Sequence, residues 1–345
     1  YKDYQMVHIT PGQTPLEENY LLGKAIKKVM ELQEQNHPSK VLLLCSGDLS
    51  HALSDDGPYV YHKSGPYFDE KIKEIIEKND PLEFFRLNKK RIQEASQCGL
   101  RSFVMGFGYV DGLYTNTKVV SYEGPFGVGY LTGFIESSEV ITGSDEKENS
   151  VLPTIFDYLE EEYERRIAKE DDFIRLARKS IETYVRTGRK LDIDEAEFSA
   201  DFLRVAKEMR KGVFVSIHKD EQLRGCIGTI EASNSCLLEE ILYNSISACS
   251  HDPRFHPVEE EELRDLVINV DILEEAEPID SYTQLDPKKY GVIVTQGYKR
   301  GLLLPNLPDI LDVHMQLDIA KQKAGITGGK VELARFEVTR HEIDE

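Results

Sequence analysis

The sequence predicts two parts in series, an α/β part over residues 1–136 and an α+β part over residues 171–345. Three observations carry this. Strand-like and helix-like patterns alternate through the first 136 residues, as in a layered fold with a partly parallel sheet. A polar, acidic stretch with no apolar period, SSEVITGSDEKENS, then interrupts at 137–150. From about residue 170 strands recur with few helices between them, as in an α+β domain.

The elements follow in order. YQMVHI is a short strand candidate. PLEENYLLGKAIKKVMELQEQN is a helix with Leu21, Leu22, Ala25, Ile26, Val29 and Leu32 on one apolar face. KVLLLCS has the near-continuous apolar character of a buried parallel strand, ended by Gly47 and Asp48. FDEKIKEIIEK and PLEFFRLNKKRIQEASQ are helices, with Pro81 suited to a first turn. KVVSYEG and GVGYLTGFIE are two late strands. Residues 137–170 form a linker and a connecting helix. In the second part GVFVSIHK, QLRGCIGTIE, LVINVDIL, YGVIVTQ, RGLLLP and KVELARFEVTR are strands, and CLLEEILYNSISACS and DILDVHMQLDIAKQKAG are helices.

Composition narrows the function. The 345 residues are 40% hydrophobic and 30% charged, enough to fill sizeable cores. No apolar run approaches the ~18 residues of a membrane helix. The net charge of -20 argues against a nucleic-acid binder, which wants a basic face. Five unevenly spaced cysteines without a CxxC pair fit reduced thiols and a cytoplasmic location. The opening YKDYQMVHIT has no signal-peptide pattern and no initiator Met, as expected of a fragment of a longer chain.

Two constellations carry chemistry. The first is SGDLSH, where an apolar run ends. Ligand crevices of doubly wound sheets lie at the carboxyl ends of strands. His51 there suits proton transfer near neutral pH, and Asp48 is near enough in sequence to orient it. On spacing alone, an ordinary turn with an Asp cap beside an exposed His reads at least as well. GPFGVGYLTG lacks the GK[ST] of a phosphate loop, and its glycines read as close backbone approach.

SGDLSH, YFDEKI, EASQCGLRSF and SYEGPFGVGY, in that order, resemble the Memo-like branch of the class III extradiol dioxygenase, subunit-B-type superfamily over residues 1–136. The resemblance implies that His51 is an acid/base, that Asp48 is an acidic neighbour in the pocket, and that Cys98 is a metal ligand where ring-cleaving enzymes use a carboxylate. It also implies that the family's two metal histidines precede Tyr1, so that only the second half of the fold is expected here. Binding of a divalent metal, Fe(II), is then expected only with that other half. Cys98 reads equally as a small buried hydrophobe.

The second constellation centres on QLRGCIGTIE. Gly225 and Gly228 flank Cys226 and allow close approach, and Arg224 suits a carboxylate or phosphate. SHDPRFHP adds His251, Asp252, Arg254 and His256, and RGLLLP adds Arg300. Structural roles stand beside these: Cys226 as core, Arg224 paired with Glu231 or Asp252, Asp252 as a turn cap. LARKSIETYV, GVFVSI, LRGCIG, DPRFHPV and GLLLP together resemble the AMMECR family over residues 171–345. This implies an α+β fold with a candidate site and no particular reaction. Fusions of the two types belong with the AmmeMemoRadiSam system, which implies a radical-SAM protein partner.

Three functions follow as expectations: an extradiol dioxygenase-like oxidoreductase acting on a small aromatic substrate, with this chain alone inactive; a non-catalytic ligand- or protein-binding module, including a homo-oligomer; and modified-base or nucleic-acid handling through a patch of Arg224, Arg254 and Arg300.

Overall fold

A computed structural model describes residues 5–12, 14–34, 40–138, 149–194, 197–307 and 310–343. The chain divides into two compact units, Tyr1–Glu162 and Tyr163–Glu345. No helix among the described residues is long and apolar enough to cross a membrane. Most of the predicted linker at 137–150 lies outside the described residues.

In the first unit, α1 (Leu16–Glu34), α2 (Ser64–Lys78), α3 (Lys89–Glu94) and α4 (Leu100–Val110) precede a hairpin of β1 (Tyr114–Glu123) and β2 (Tyr130–Ser138). α5 (Leu152–Ala168) follows and spans the division between the units. The core gathers Tyr20, Leu49, Phe68, Ile72, Phe84, Leu100, Val104, Phe107 and Ile155. Helix α1 packs through Tyr20, Gly23 and Lys27, all buried. Its backbone crosses α4 so closely that a Cβ on Gly23 would lie 2.0 Å from the Met105 carbonyl, and one on Gly108 2.0 Å from the Tyr20 carbonyl.

Four expectations are corrected. Leu21, Leu22, Val29 and Leu32 of α1, predicted as its packing face, are exposed, because the glycine crossing selects the opposite face. The described parts of YQMVHI and KVLLLCS form no strand: no ladder partner lies beside them, and Met6, Val7, Leu42 and Leu44 are each more than 80% exposed. The two late strands pair antiparallel, from Tyr114 opposite Ser138 to Glu123 opposite Tyr130, so no parallel sheet is present among the described residues. PLEFFRLNKKRIQEASQ breaks into a 3-10 turn at Pro81–Phe84 and α3, which Asn88 caps by accepting from the Arg91 N–H at 3.0 Å.

The second unit opens with α6 (Asp172–Thr187), capped by Asp171, and α7 (Ala200–Glu208), capped by Ser199. Two four-stranded antiparallel sheets follow. With β3 (Val213–Lys219), β4 (Gln222–Gly228), β5 (Val267–Leu273) and β10 (Val338–His341), the first has the order β10-β5-β3-β4. With β6 (Glu277–Ile279), β7 (Gly291–Gln296), β8 (Lys299–Leu303) and β9 (Glu332–Phe336), the second has the order β6-β9-β7-β8. Helix α8 (Leu237–Ser250) covers one face of the first sheet, burying Val213, Val215, Ile217, Ile268 and Val270 with Leu237, Ile241 and Cys249. Helix α9 (Val313–Lys323) packs on β7 and β8. Antiparallel sheets with helices packed against them make the α+β arrangement expected.

Candidate functional site

In the first unit the structure brings Asp48, His51 and Cys98 together. One potential ligand atom from each lies within 4.8 Å of the others. His51 Nε2 is 3.5 Å from Asp48 Oδ2 and 4.0 Å from Cys98 Sγ. The Asp48 N–H donates to Cys98 Sγ at 3.2 Å.

Glycines make this convergence. Gly47 passes Gly99 so tightly that a Cβ on Gly47 would stand 2.4 Å from the Gly99 Cα. The Asp48 carbonyl then accepts from the Cys98 and Gly99 N–H groups at 3.3 and 2.9 Å. On the other side the loop is stapled to the segment before β2: the Leu49 N–H donates to the Gly129 carbonyl (2.9 Å), and the Gly129 N–H to that of Ser50 (2.8 Å). His51 is fixed by its own N–H, which donates to the Ala95 carbonyl at 3.1 Å. Its ring stacks on Tyr59 with centroids 6.0 Å apart and planes 12° apart.

Behind this loop lies a carboxylate that the sequence reading missed. Asp69, fully buried on α2, accepts from the Ser50 N–H and from the Tyr122 hydroxyl, both at 2.7 Å. Burial pushes its carboxyl up, while Tyr122, the Ser50 N–H and the nearby His51 act the other way. Burial and Asp69 in turn push the Tyr122 hydroxyl up. The glycine-rich segment between the strands is built around this group, since a Cβ on Gly129 would fall 2.1 Å from Asp69 Oδ2. Asp69 lies within YFDEKI, one of the segments that carry the resemblance, but nothing in the sequence singled it out from its neighbours.

In the second unit the predicted residues divide among different partners. Arg224 turns to Glu262, donating through Nε (3.0 Å) and Nη2 (2.8 Å), and to the carbonyls of His256 and Pro257. Burial would raise the Glu262 carboxyl, but Arg224, the Glu259 N–H and Lys219 outweigh it and hold it at about 2. Arg224 therefore pairs with neither Glu231 nor Asp252. Arg300 takes Glu231 instead, at 2.9 Å. His251 ends α8 against the Ser250 hydroxyl at 2.7 Å. The arginines do not pool into a basic patch, because each of the three is matched to a carboxylate.

Asp252 and Arg254 act on Cys226 itself. Strand β4 is an edge, so its outward backbone groups lack a neighbouring strand. The Cys226 N–H donates to Asp252 Oδ2 at 2.8 Å, and Arg254 Nη2 donates to the Cys226 carbonyl at 3.1 Å. Arg254 also grips Asp252 through Nε (2.9 Å) and Nη2 (2.6 Å). The Arg254 side chain, helped by the Cys226 and Arg254 N–H groups, holds the Asp252 carboxyl at about 2. Asp252 Oδ1 also accepts from the Arg254 N–H, the turn cap that its place before Pro253 predicts. Gly225 and Gly228 permit close packing: a Cβ on Gly225 would meet the Ala248 carbonyl at 2.3 Å, and one on Gly228 the Phe214 ring at 2.2 Å. Beside this clamp, Arg224, Pro253, Arg254, Phe255 and His256 line an open cleft of about 560 Å³.

Comparison with known proteins places both units. Residues 1–134 match the family model described as the catalytic LigB subunit of aromatic ring-opening dioxygenase, and residues 174–344 match AMMECR1. A protein of Clostridium acetobutylicum is 37% identical over 342 residues, covering 99% of this chain and 70% of that protein. A protein of Thermotoga maritima is 46% identical over 175 residues, covering 50% of this chain and 98% of its own length. Among solved structures, an uncharacterized protein from Pyrococcus horikoshii has 29% identity and a TM-score of 0.44, covering 50% of this chain and 90% of that one. The class is thus a fusion of a dioxygenase-like region with an α+β domain. The chain belongs to the family that joins a LigB-type region to an AMMECR1 domain.

Proposed function

We propose that the first unit supplies one wall of a metal-dependent oxidoreductase site of the extradiol ring-cleavage type, acting on a small aromatic substrate, and that the AMMECR1 domain carries a ligand site at its LRGCIG strand. The convergence of Asp48, His51 and Cys98 carries the first reading. A thiol sulfur with an imidazole and a carboxylate beside it, all within 4.8 Å, fits a divalent transition metal such as Fe(II) held through Cys98, with His51 and Asp48 left for proton transfer. Cys98 would hold the ion, which when bound supplies Lewis-acid and redox chemistry. The remaining chemistry is local. His51 gives or takes a proton at Nε2, Asp48 orients that nitrogen, and the stacked Tyr59 fixes the ring plane. Asp69 positions the loop through the Ser50 N–H.

The test is bound iron, copper and zinc, measured in this chain and in a form extended at its N-terminus. Stoichiometric metal in the extended protein, lost in Cys98→Ala and kept in His51→Ala, supports the assignment. Metal in neither form, or metal indifferent to Cys98→Ala, overturns it.

A further inference from the structure

The cleft beside the Cys226 clamp is shaped by hydrogen bonds of the chain itself. Its lining residues Arg224, Pro253, Arg254, Phe255 and His256 come from strand β4 and from the DPRFHP loop that follows α8. That loop is pinned at both ends. At its start the Asp252 carboxylate accepts from the Cys226 N–H at 2.8 Å. At its end the Val258 N–H donates to the Cys249 carbonyl at 2.8 Å. Between the two, Arg224 donates through Nη1 to the His256 carbonyl and through Nη2 to that of Pro257, at 2.8 and 3.1 Å. The volume of about 560 Å³ lies in the range of small-molecule sites.

What the lining leaves unspent points to its ligand. Arg254 is fixed by Asp252, through Nε at 2.9 Å and Nη2 at 2.6 Å, and by the Cys226 carbonyl at 3.1 Å. Its Nη1 has no partner among the described residues, and its side chain is 53% exposed. The guanidinium carbon stands 5.4 Å from the centroid of the Phe255 ring, so a flat cation and an aromatic ring share one wall. The His256 ring is exposed and makes no hydrogen bond among the described residues, and Pro253 adds an exposed apolar ring. The lining thus offers ring faces and N–H donors, and its residues include no carboxylate. The balance of charge agrees. Lys219 Nζ lies 3.2 Å from Glu262 Oε1 and Arg224 Nη2 lies 2.8 Å from Glu262 Oε2, while Asp252 answers Arg254 alone. Three cations therefore share two carboxylates. In the acidic run that follows, Glu259 caps its own 3-10 turn and Glu260 pairs with Arg186 at 3.4 Å.

We infer that this cleft binds an aromatic carboxylate, with its ring on Phe255 and Pro253 and its carboxylate on Arg254 Nη1 and His256. Hydrogen bonds from a guanidinium to a carboxylate are charge-assisted, and the clamp has already set the orientation of this one. A small inorganic anion would leave the apolar part of the lining uncovered. The inference rests on reading the LRGCIG strand as part of a ligand site, through Arg224, and it names the class of ligand.

The experiment follows modification of His256 by diethyl pyrocarbonate, peptide by peptide, in the full chain, with the exposed His314 of α9 as internal reference. The probes are benzoate, cyclohexanecarboxylate, benzamide and a set of neutral nucleosides. Benzoate should slow His256 modification saturably, about tenfold at concentrations near ten times Kd, without slowing His314. Cyclohexanecarboxylate, which lacks the flat ring, and benzamide, which lacks the charge, should protect only at much higher concentrations. Phe255→Leu should weaken benzoate about tenfold, the worth of one aromatic contact. Lys219→Met, which leaves two cations facing two carboxylates, should weaken benzoate severalfold and benzamide not at all, so the test survives a Phe255 variant that fails to fold. Cyclohexanecarboxylate protecting as well as benzoate would overturn the aromatic ring, and benzamide protecting as well would overturn the carboxylate. Protection by nucleosides alone would keep the strand as a ligand site and overturn this ligand class. Protection by none of the probes would overturn both.

Discussion

Asp252 shows how one side chain can serve both local turn and tertiary structure. Its carboxylate caps the turn before Arg254, receives the Arg254 guanidinium and pairs with the Cys226 N–H. Because its carboxyl is held at about 2, below the ordinary 3.8, folding favours the ionised form. The stability it contributes is complete above about pH 4 and is lost as the pH falls toward about 2. Glu262, also held at about 2, adds to the loss in the same window. Denaturant titrations of the second unit should show stability declining between these values, and Asp252→Asn should flatten that decline. At neutral pH, Asp252→Ala should cost about 1.5–3 kcal/mol, the range for hydrogen bonds to charged groups. Little of this could be read from the sequence. SHDPRFHP marked the right residues, but the partner of Asp252 is a backbone group, and backbone groups leave no trace in residue type.

At the scale of elements, amphipathic helices and hairpin-linked strands were legible wherever one face meets a core and the other meets solvent. That is why α2, α8 and most strands of the second unit fall where periodicity puts them, whereas KVELARFEVTR, expected as one strand, breaks at Glu337 into β9 and β10 of different sheets, and the short β6 went unread. Helix α4 went unread because Gly106 and Gly108 interrupt an apolar stretch, and glycine lowers helix propensity by about 1 kcal/mol. Here the close crossing with α1 demands them, and the same crossing reversed the expected packing face of α1. Position at a strand end was the argument for His51, yet no strand ladder holds VLLLCS. Backbone bonds to Ala95 and Gly129 position the loop instead. The glycine-rich link between β1 and β2 is the matching support. Gly129→Ala drives a methyl group toward Asp69 Oδ2 and should cost about 1–3 kcal/mol, the usual range for overpacking. It should also raise the exposure of Cys98, seen as faster thiol labelling. Unchanged stability with unchanged labelling would show that the Asp69 support is dispensable.

Over the whole molecule, each unit has its own hydrophobic core, as independent folding requires. Residues 163–345 expressed alone should unfold in one cooperative transition, and the intact chain should show a further transition from the first unit. A fragment without a cooperative transition would contradict this division. The clamp on Cys226 has a consequence at this scale. An open strand edge is a template on which another chain can extend a sheet. On β4 the Cys226 N–H and C=O groups are already spent on two side chains, and the opposite edge of that sheet is β10, only four residues long. The Asp-Pro-Arg turn thus stands in for the missing neighbour strand, and it closes this edge to strand-by-strand polymerisation.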